Sequence, residues 1–292
     1  MKEGENMGIF KRKLTQEEKD FDAKFDKQIK DIFVLTEDDM GAGKSGKEEL
    51  WTVSIRTLAY IDLTTQELVE RKSILQWLVT ERECHTSKKK LGLAKETIYQ
   101  LKVRESLPYI NPYNQKEMEK GKWLKVEEVV KRNCHEPRLD EILKEYQKDV
   151  VIHPDGCGEL KLDKSLGLFS GSGIFNQQEC LIHLDKDEDS ETANNALHSL
   201  KVLLDDSCQW DFKAKQYAAQ SLTDLANDWA DEEGDDEISE EDFIKRISIS
   251  EVCVSLDGDF ELFYDDGDLF YGHVIIVSGN IESGFEDADI AR

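Results

Sequence analysis

The sequence predicts an α+β protein, with a small β-barrel-like N-terminal domain followed by a C-terminal antiparallel sheet packed with helices. Three observations predict it. Residues 48–107 hold runs rich in β-branched and aromatic residues, Leu50 to Leu63, Ser73 to Val79 and Ile98 to Arg104, divided by polar turns. From residue 150 onward the order is strands, then amphipathic helices, then strands, which points to an antiparallel sheet. The chain closes on apolar runs separated by Asp257-Gly258 and Asp266-Gly267, and Asp-Gly between alternating apolar residues is a hairpin signal because its turn needs φ > 0.

At 292 residues the chain exceeds one ordinary core and divides into four segments: 1–47 leader, helix and linker; 48–107 barrel-like domain; 108–149 helical connector; 150–292 acidic α+β domain. Lys2 to Asn6 read as a translated ribosome-binding leader, with Met7 as the initiator. Thr15 and Glu18 form a capping box ahead of Phe21, Phe25, Ile29 and Ile32, which predicts a helix over about Gln16 to Asp31. Lys88-Lys89-Lys90 reads as a basic loop, and Trp123 to Gln147 carries helical spacing interrupted near Asn133 to Pro137. In the last segment, Glu159 to Leu162 and Leu166 to Ser170 are strand-like, Gly171-Ser172-Gly173 is a turn, and Ile174 to Leu184 returns. Glu191 to Leu204 and Trp210 to Trp229 each carry one apolar helical face, and Ser239 caps a short helix before the closing strands.

Charge is distributed unevenly. Residues 151–292 hold 34 Asp and Glu against 9 Lys and Arg, whereas residues 1–150 hold 29 of each, so the C-terminal half carries the whole net charge of −25. Such a field repels nucleic acid and anionic membranes and steers cationic proteins or metal ions toward that half. No apolar run is long enough to span a bilayer and no signal peptide or lipidation motif is evident, which predicts a cytoplasmic protein. The six scattered cysteines read as reduced thiols.

Three motifs are tempting. Gly41 to Ser45 ends like a phosphate-binding loop, but Asp38 stands where the first glycine belongs and a strand, not a helix, is predicted to follow; a linker is the better reading. Asp185, Asp187 and Asp189 occupy the first carboxylate positions of a calcium loop, but Ser190 replaces its glycine and Ala196 its bidentate glutamate. Cys and His are neighbours at Cys84-His85, Cys134-His135 and Cys180 to His183, yet strand geometry turns each pair to opposite faces, and no Cys-x-x-Cys exists. No cofactor or metal is implied.

The phrase DGDLFYGHVIIVSG and the closing ADIA resemble the end of a bacterial family catalogued as domain of unknown function 2262, over about residues 150–292. Arg292 stands where a glycine is expected. AYIDLTTQELVERKSILQWLV resembles, more loosely, the β-rich segment that often precedes that domain. The resemblance implies a fold and no chemistry. The leading expectation is a non-catalytic protein whose acidic domain engages a basic partner, in an immunity- or inhibitor-like role, through Asp231, Glu232, Glu233, Asp235, Asp236 and Glu237. The alternative is a hydrolase-type or metal-dependent enzyme using His273 with the Asp265 to Asp268 turn, chiefly Asp266 and Asp268. Leu269 to Val277 is expected as one central strand, apolar on both faces, holding His273 within the sheet.

Overall fold

The computed structural model describes residues 14–86, 91–110, 115, 117–230 and 237–291. The chain forms two units, divided between Lys148 and Asp149. The basic loop Lys88-Lys89-Lys90, the leader with Met7, and Arg292 lie outside the described residues.

The N-terminal unit contains α1 (Gln16–Asp22), β1 (Lys30–Gly43), β2 (Leu50–Asp62), β3 (Leu68–Val69), β4 (Ile74–Thr80), α2 (Glu81–Cys84), β5 (Ile98–Glu105), β6 (Tyr109–Ile110), β7 (Glu117–Met118), β8 (Trp123–Lys131) and α3 (Pro137–Tyr146). Strands β1, β5, β8, β4 and β2 are bonded in that order, and β2 pairs back onto β1 to close a five-stranded barrel. Every barrel pair is antiparallel except β4 with β8. This is the strand order of an OB-type Greek-key barrel.

Two barrel strands fall outside residues 48–107. The stretch expected as linker is β1, because Ile32, Val34 and Leu35 are fully buried. The ridge expected as one helix is divided: α1 stops at Asp22, Ile29 is exposed, and Ile32 already belongs to the barrel. Similarly β8 occupies what reads as helical connector. Its Leu124 and Val126, two residues apart, point into the barrel, and helix begins only at Pro137, where Glu136 caps the Leu139 amide at 3.1 Å. The Gly41 to Gly43 stretch ends β1, and Lys44 pairs with Glu81 at 3.1 Å and lies over the Trp51 ring.

The C-terminal unit contains β9 (Val151–Ile152), β10 (Leu160–Asp163), β11 (Leu168–Phe175), β12 (Gln178–Asp185), α4 (Asn194–Asp205), α5 (Ser207–Trp229), α6 (Glu240–Arg246), β13 (Ser248–Val254), β14 (Asp259–Asp265), β15 (Val274–Asn280) and β16 (Gly284–Ala291). They build one eight-stranded sheet ordered β16-β15-β14-β13-β12-β11-β10-β9. Pairing is antiparallel throughout except between β12 and β13, where the three helices supply the long crossover that a parallel pair requires. The unit is therefore α+β. No helix among the described residues is long and apolar enough to cross a membrane.

The helices cover one face of this sheet. Ala196, Leu200 and Leu203 of α4, Ala214, Ala218 and Leu222 of α5, and Phe243 of α6 join Phe169, Ile182, Val252, Leu262 and Val277 in one core. Alternation along each strand turns the remaining side chains to the opposite face.

Two local expectations change. Gly171-Ser172-Gly173 is not a turn; β11 runs through it, and the chain reverses at Asn176 and Gln177, both at positive φ. The glycines serve close approach instead. A Cβ at Gly171 would collide with the Glu159 backbone oxygen, and one at Gly173 would lie 2.7 Å from Ile182. Nor is Leu269 to Val277 one central strand. Gly267, Asp268, Tyr271 and Gly272 all have positive φ, so β15 starts only at Val274, and it lies beside the edge strand β16.

Candidate functional site

The face of the C-terminal sheet opposite the helices is the most distinctive surface of the molecule. Its outward positions run across the strands in register. Ser170 lies opposite His183, His183 beside Cys253, Cys253 opposite Glu261, and Glu261 opposite Ser278. The next row is Ser172, Leu181, Glu251, Phe263, Ile276 and Asp289. Strands β11 to β16 contain no Lys or Arg. Carboxylates therefore stand on this face among apolar side chains; Leu181 is 45% and Ile174 60% exposed. The fields of Glu251, Glu261 and Asp185 reach Cys253, whose thiol is pushed up to about 12 by burial first and by those charges next.

One chain of polar contacts crosses three strands of the face. Ser170 Oγ lies 2.8 Å from His183 Nδ1, and His183 Nε2 lies 3.4 Å from Glu251 Oε2. Glu251, as a carboxylate, favours the proton on Nε2. That leaves Nδ1 as the acceptor of the Ser170 hydroxyl. The His183 side chain keeps 19% of its surface exposed, so the chain is open to solvent.

Residues 155–290 match the family model described as an uncharacterized protein conserved in bacteria, DUF2262. The C-terminal domain belongs to this family. Residues 17–146 match a second model, DUF7021, a domain of unknown function, which spans the barrel. Comparison with curated proteins returns no match.

Within the DUF2262 domain, the residues that carry the family phrase build a turn and the strand after it. Asp266 is buried, and its carboxylate accepts from the backbone amides of Phe270 at 2.7 Å, Gly272 at 3.0 Å and Asp268 at 3.3 Å. Both of its oxygens are thus committed to holding the turn. Asp265 ends β14 and is exposed, and Asp268 occupies a left-handed turn position. His273 sits just before β15, its Nδ1 donating to the Phe270 carbonyl at 2.5 Å and its ring edge-on to Trp229. The structure brings Asp266 and His273 into one turn, but no hydrogen bond joins them among the described residues. Of the acidic loop, Asp231, Glu232, Glu233, Asp235 and Asp236 lie outside the described residues, and Glu237 is exposed.

The calcium-like loop has a different use. Asp187 accepts from Thr192 Oγ1 at 2.6 Å and from the amides of Asn194 and Asn195, which caps the start of α4. Those bonds hold its carboxyl below the usual range, the Thr192 contribution being largest. The Lys186 ammonium donates to the carbonyls of Asp187, Glu188 and Ser190 at 2.5, 3.2 and 3.1 Å, filling the loop with a side-chain cation.

In the barrel, the outer face of β2 and β4, where OB-type barrels take oligonucleotides and oligosaccharides, is occupied by α1. Glu17, Asp20 and Phe21 share a cavity with Thr52 of β2 and Leu78 of β4. Glu17 accepts from the amides of Glu49 and Leu50 at 3.2 and 3.0 Å.

Proposed function

We propose that the C-terminal domain is a binding module that engages a basic partner protein on the open face of its sheet. An immunity- or inhibitor-like role against a cationic toxin or nuclease is its sharpest form. One observation carries the reading: six consecutive strands without a single Lys or Arg, displaying Glu179, Asp185, Glu251, Glu261, Asp287 and Asp289 outward. Six strands with no cation of their own leave their field for an external one, which raises the association rate and selects positive partners.

Size and apolarity agree with it. Six strands spaced by about 4.8 Å make a face about 24 Å wide. That is of the order needed for about 800 Å² per partner in a standard interface. The row Leu181, Phe263 and Ile276 supplies the apolar centre around which a hot spot forms.

The test uses the full chain as bait for proteins of its own host. A basic protein retained at low salt, released at high salt and lost with the double variant Glu251→Lys, Glu261→Lys is the expected result. Equal retention by the variant, or no salt-sensitive basic partner at all, sinks the proposal.

A further inference from the structure

Partner binding does not require the chain of polar contacts on the open face. Ser170, His183 and Glu251 come from β11, β12 and β13, three adjacent strands, and stand on one face in a nucleophile, base and carboxylate order. A fourth group completes the set. Lys161 of β10 is directly opposite Ser170 in the antiparallel ladder, on the same exposed face. Opposed positions bring Cβ atoms to about 5 Å, so a swing of the lysine side chain carries its ammonium to the serine. That ammonium pairs with Asp149 at 2.8 Å, and both partners are more than half exposed. A pair so exposed is held loosely.

We propose that Ser170 is a base-activated nucleophile that takes an acyl group from uncharged or cationic esters, with His183 as its base and Lys161 as the partner of the oxyanion. Glu251 is a positioning residue, holding the imidazole in the tautomer whose Nδ1 accepts. Ser170 Oγ adds to the ester carbonyl carbon while its proton passes to His183 Nδ1. The carbonyl oxygen becomes an oxyanion beside Lys161. The C–O bond to the leaving alcohol then breaks, and the alcohol oxygen takes the proton from His183. Water repeats the sequence on the acyl-serine, releasing the carboxylic acid and restoring the hydroxyl. Leu168 and Ser172, two residues either side of Ser170 on β11, and the exposed Leu181 leave the acyl chain an open, partly apolar strip. Anionic substrates are repelled by the carboxylates of the same face. The assignment stands apart from partner binding and does not depend on it.

A fluorophosphonate probe applied to the full-length protein, with the adduct mapped by peptide mass spectrometry, reads the nucleophile directly. The expected adduct is on Ser170, with fluoride released. Labelling slows by about 10²-fold in His183→Gln and by about tenfold in Lys161→Met, as an exposed oxyanion partner should give. In Glu251→Gln the pH profile of labelling shifts, which a purely structural role would leave in place. A cationic phosphonate reacts faster than an anionic one of equal size. Circular dichroism checks that each variant folds, and the adduct map on the unmodified sequence needs no variant. An adduct absent from Ser170, or formed at an unchanged rate in His183→Gln, overturns the proposal.

Discussion

The barrel and the DUF2262 domain carry similar numbers of acidic groups and use them in opposite ways. In the barrel, acids are matched by bases at short range. Arg104 joins Asp22 and Glu127, Lys125 joins Asp22 at 2.5 Å, and Lys30 bridges Asp62 and Glu105 at 3.3 and 2.9 Å. These pairs tie α1 and the strand ends together, so charge is internal fastening. In the C-terminal domain the few bases are engaged locally, Lys215 with Asp211, Lys164 with Glu191 and Lys201 with Asp205, and strands β11 to β16 of the sheet have none. Net charge is therefore informative only when resolved by surface. The same residue types hold one domain together and equip the other for contact with something else.

That contrast can be broken first at a buried acid of the C-terminal core. Asp211 in the C-terminal core accepts from Asn176 at 2.7 Å and from the Tyr264 hydroxyl at 3.1 Å, and faces Lys215 at 3.3 Å. Burial, and then the charge of Asp211, raise the Tyr264 hydroxyl well above its ordinary value. Asp211→Ala leaves those partners unsatisfied, and urea unfolding should report a loss of about 3 kcal/mol. Unchanged stability would mean that charge inside this domain is dispensable.

A smaller effect tests fastening in the barrel. Arg104 chiefly, with Lys125, holds the Asp22 carboxyl below the usual carboxylate range, against the opposing effect of burial. A depressed folded value stabilises above the unfolded value, near pH 4, and that stability is lost as pH falls through the folded one. Asp22→Asn should therefore weaken the barrel by about 1 kcal/mol near neutrality, the partly exposed pair being screened, and flatten its acid response. Hydrogen exchange of the peptides holding Arg104 and Lys125, followed from pH 7 toward pH 3, reads both. The smallest effect belongs to the open face. Glu261→Gln with Asp287→Asn should change stability by less than about 0.5 kcal/mol, with a slight gain as repulsion falls; a clear loss in thermal unfolding would make those carboxylates structural.

Much of the fold is legible where local chemistry dominates. Thr15 and Glu18 form the capping box, and the turn at Asp257-Gly258 joins β13 to β14 with Gly258 at φ +85°. The barrel strands of residues 48–107 follow from their β-branched and aromatic density. The misreadings have one physical source. Gly171 and Gly173 look like turn residues, but atoms of Glu159 and Ile182, brought beside them only when the strands pair, deny them a side chain. The β1 and β8 strands carry apolar residues that also suit a helix, and only closure of the barrel decides. The site was legible as charge and not as geometry. His183, three residues from Cys180 and facing the other way, meets Ser170 and Glu251 only through pairing with two other strands.

The loop between β12 and α4 holds its own cation. A calcium loop is a sensor because its cation can leave; the Lys186 ammonium cannot, being tethered to the backbone it neutralises. The loop that leads into α4 is therefore braced by a charge that the chain itself carries. Acylating that one amine would remove the charge and leave a single N–H where three carbonyls now share an ammonium.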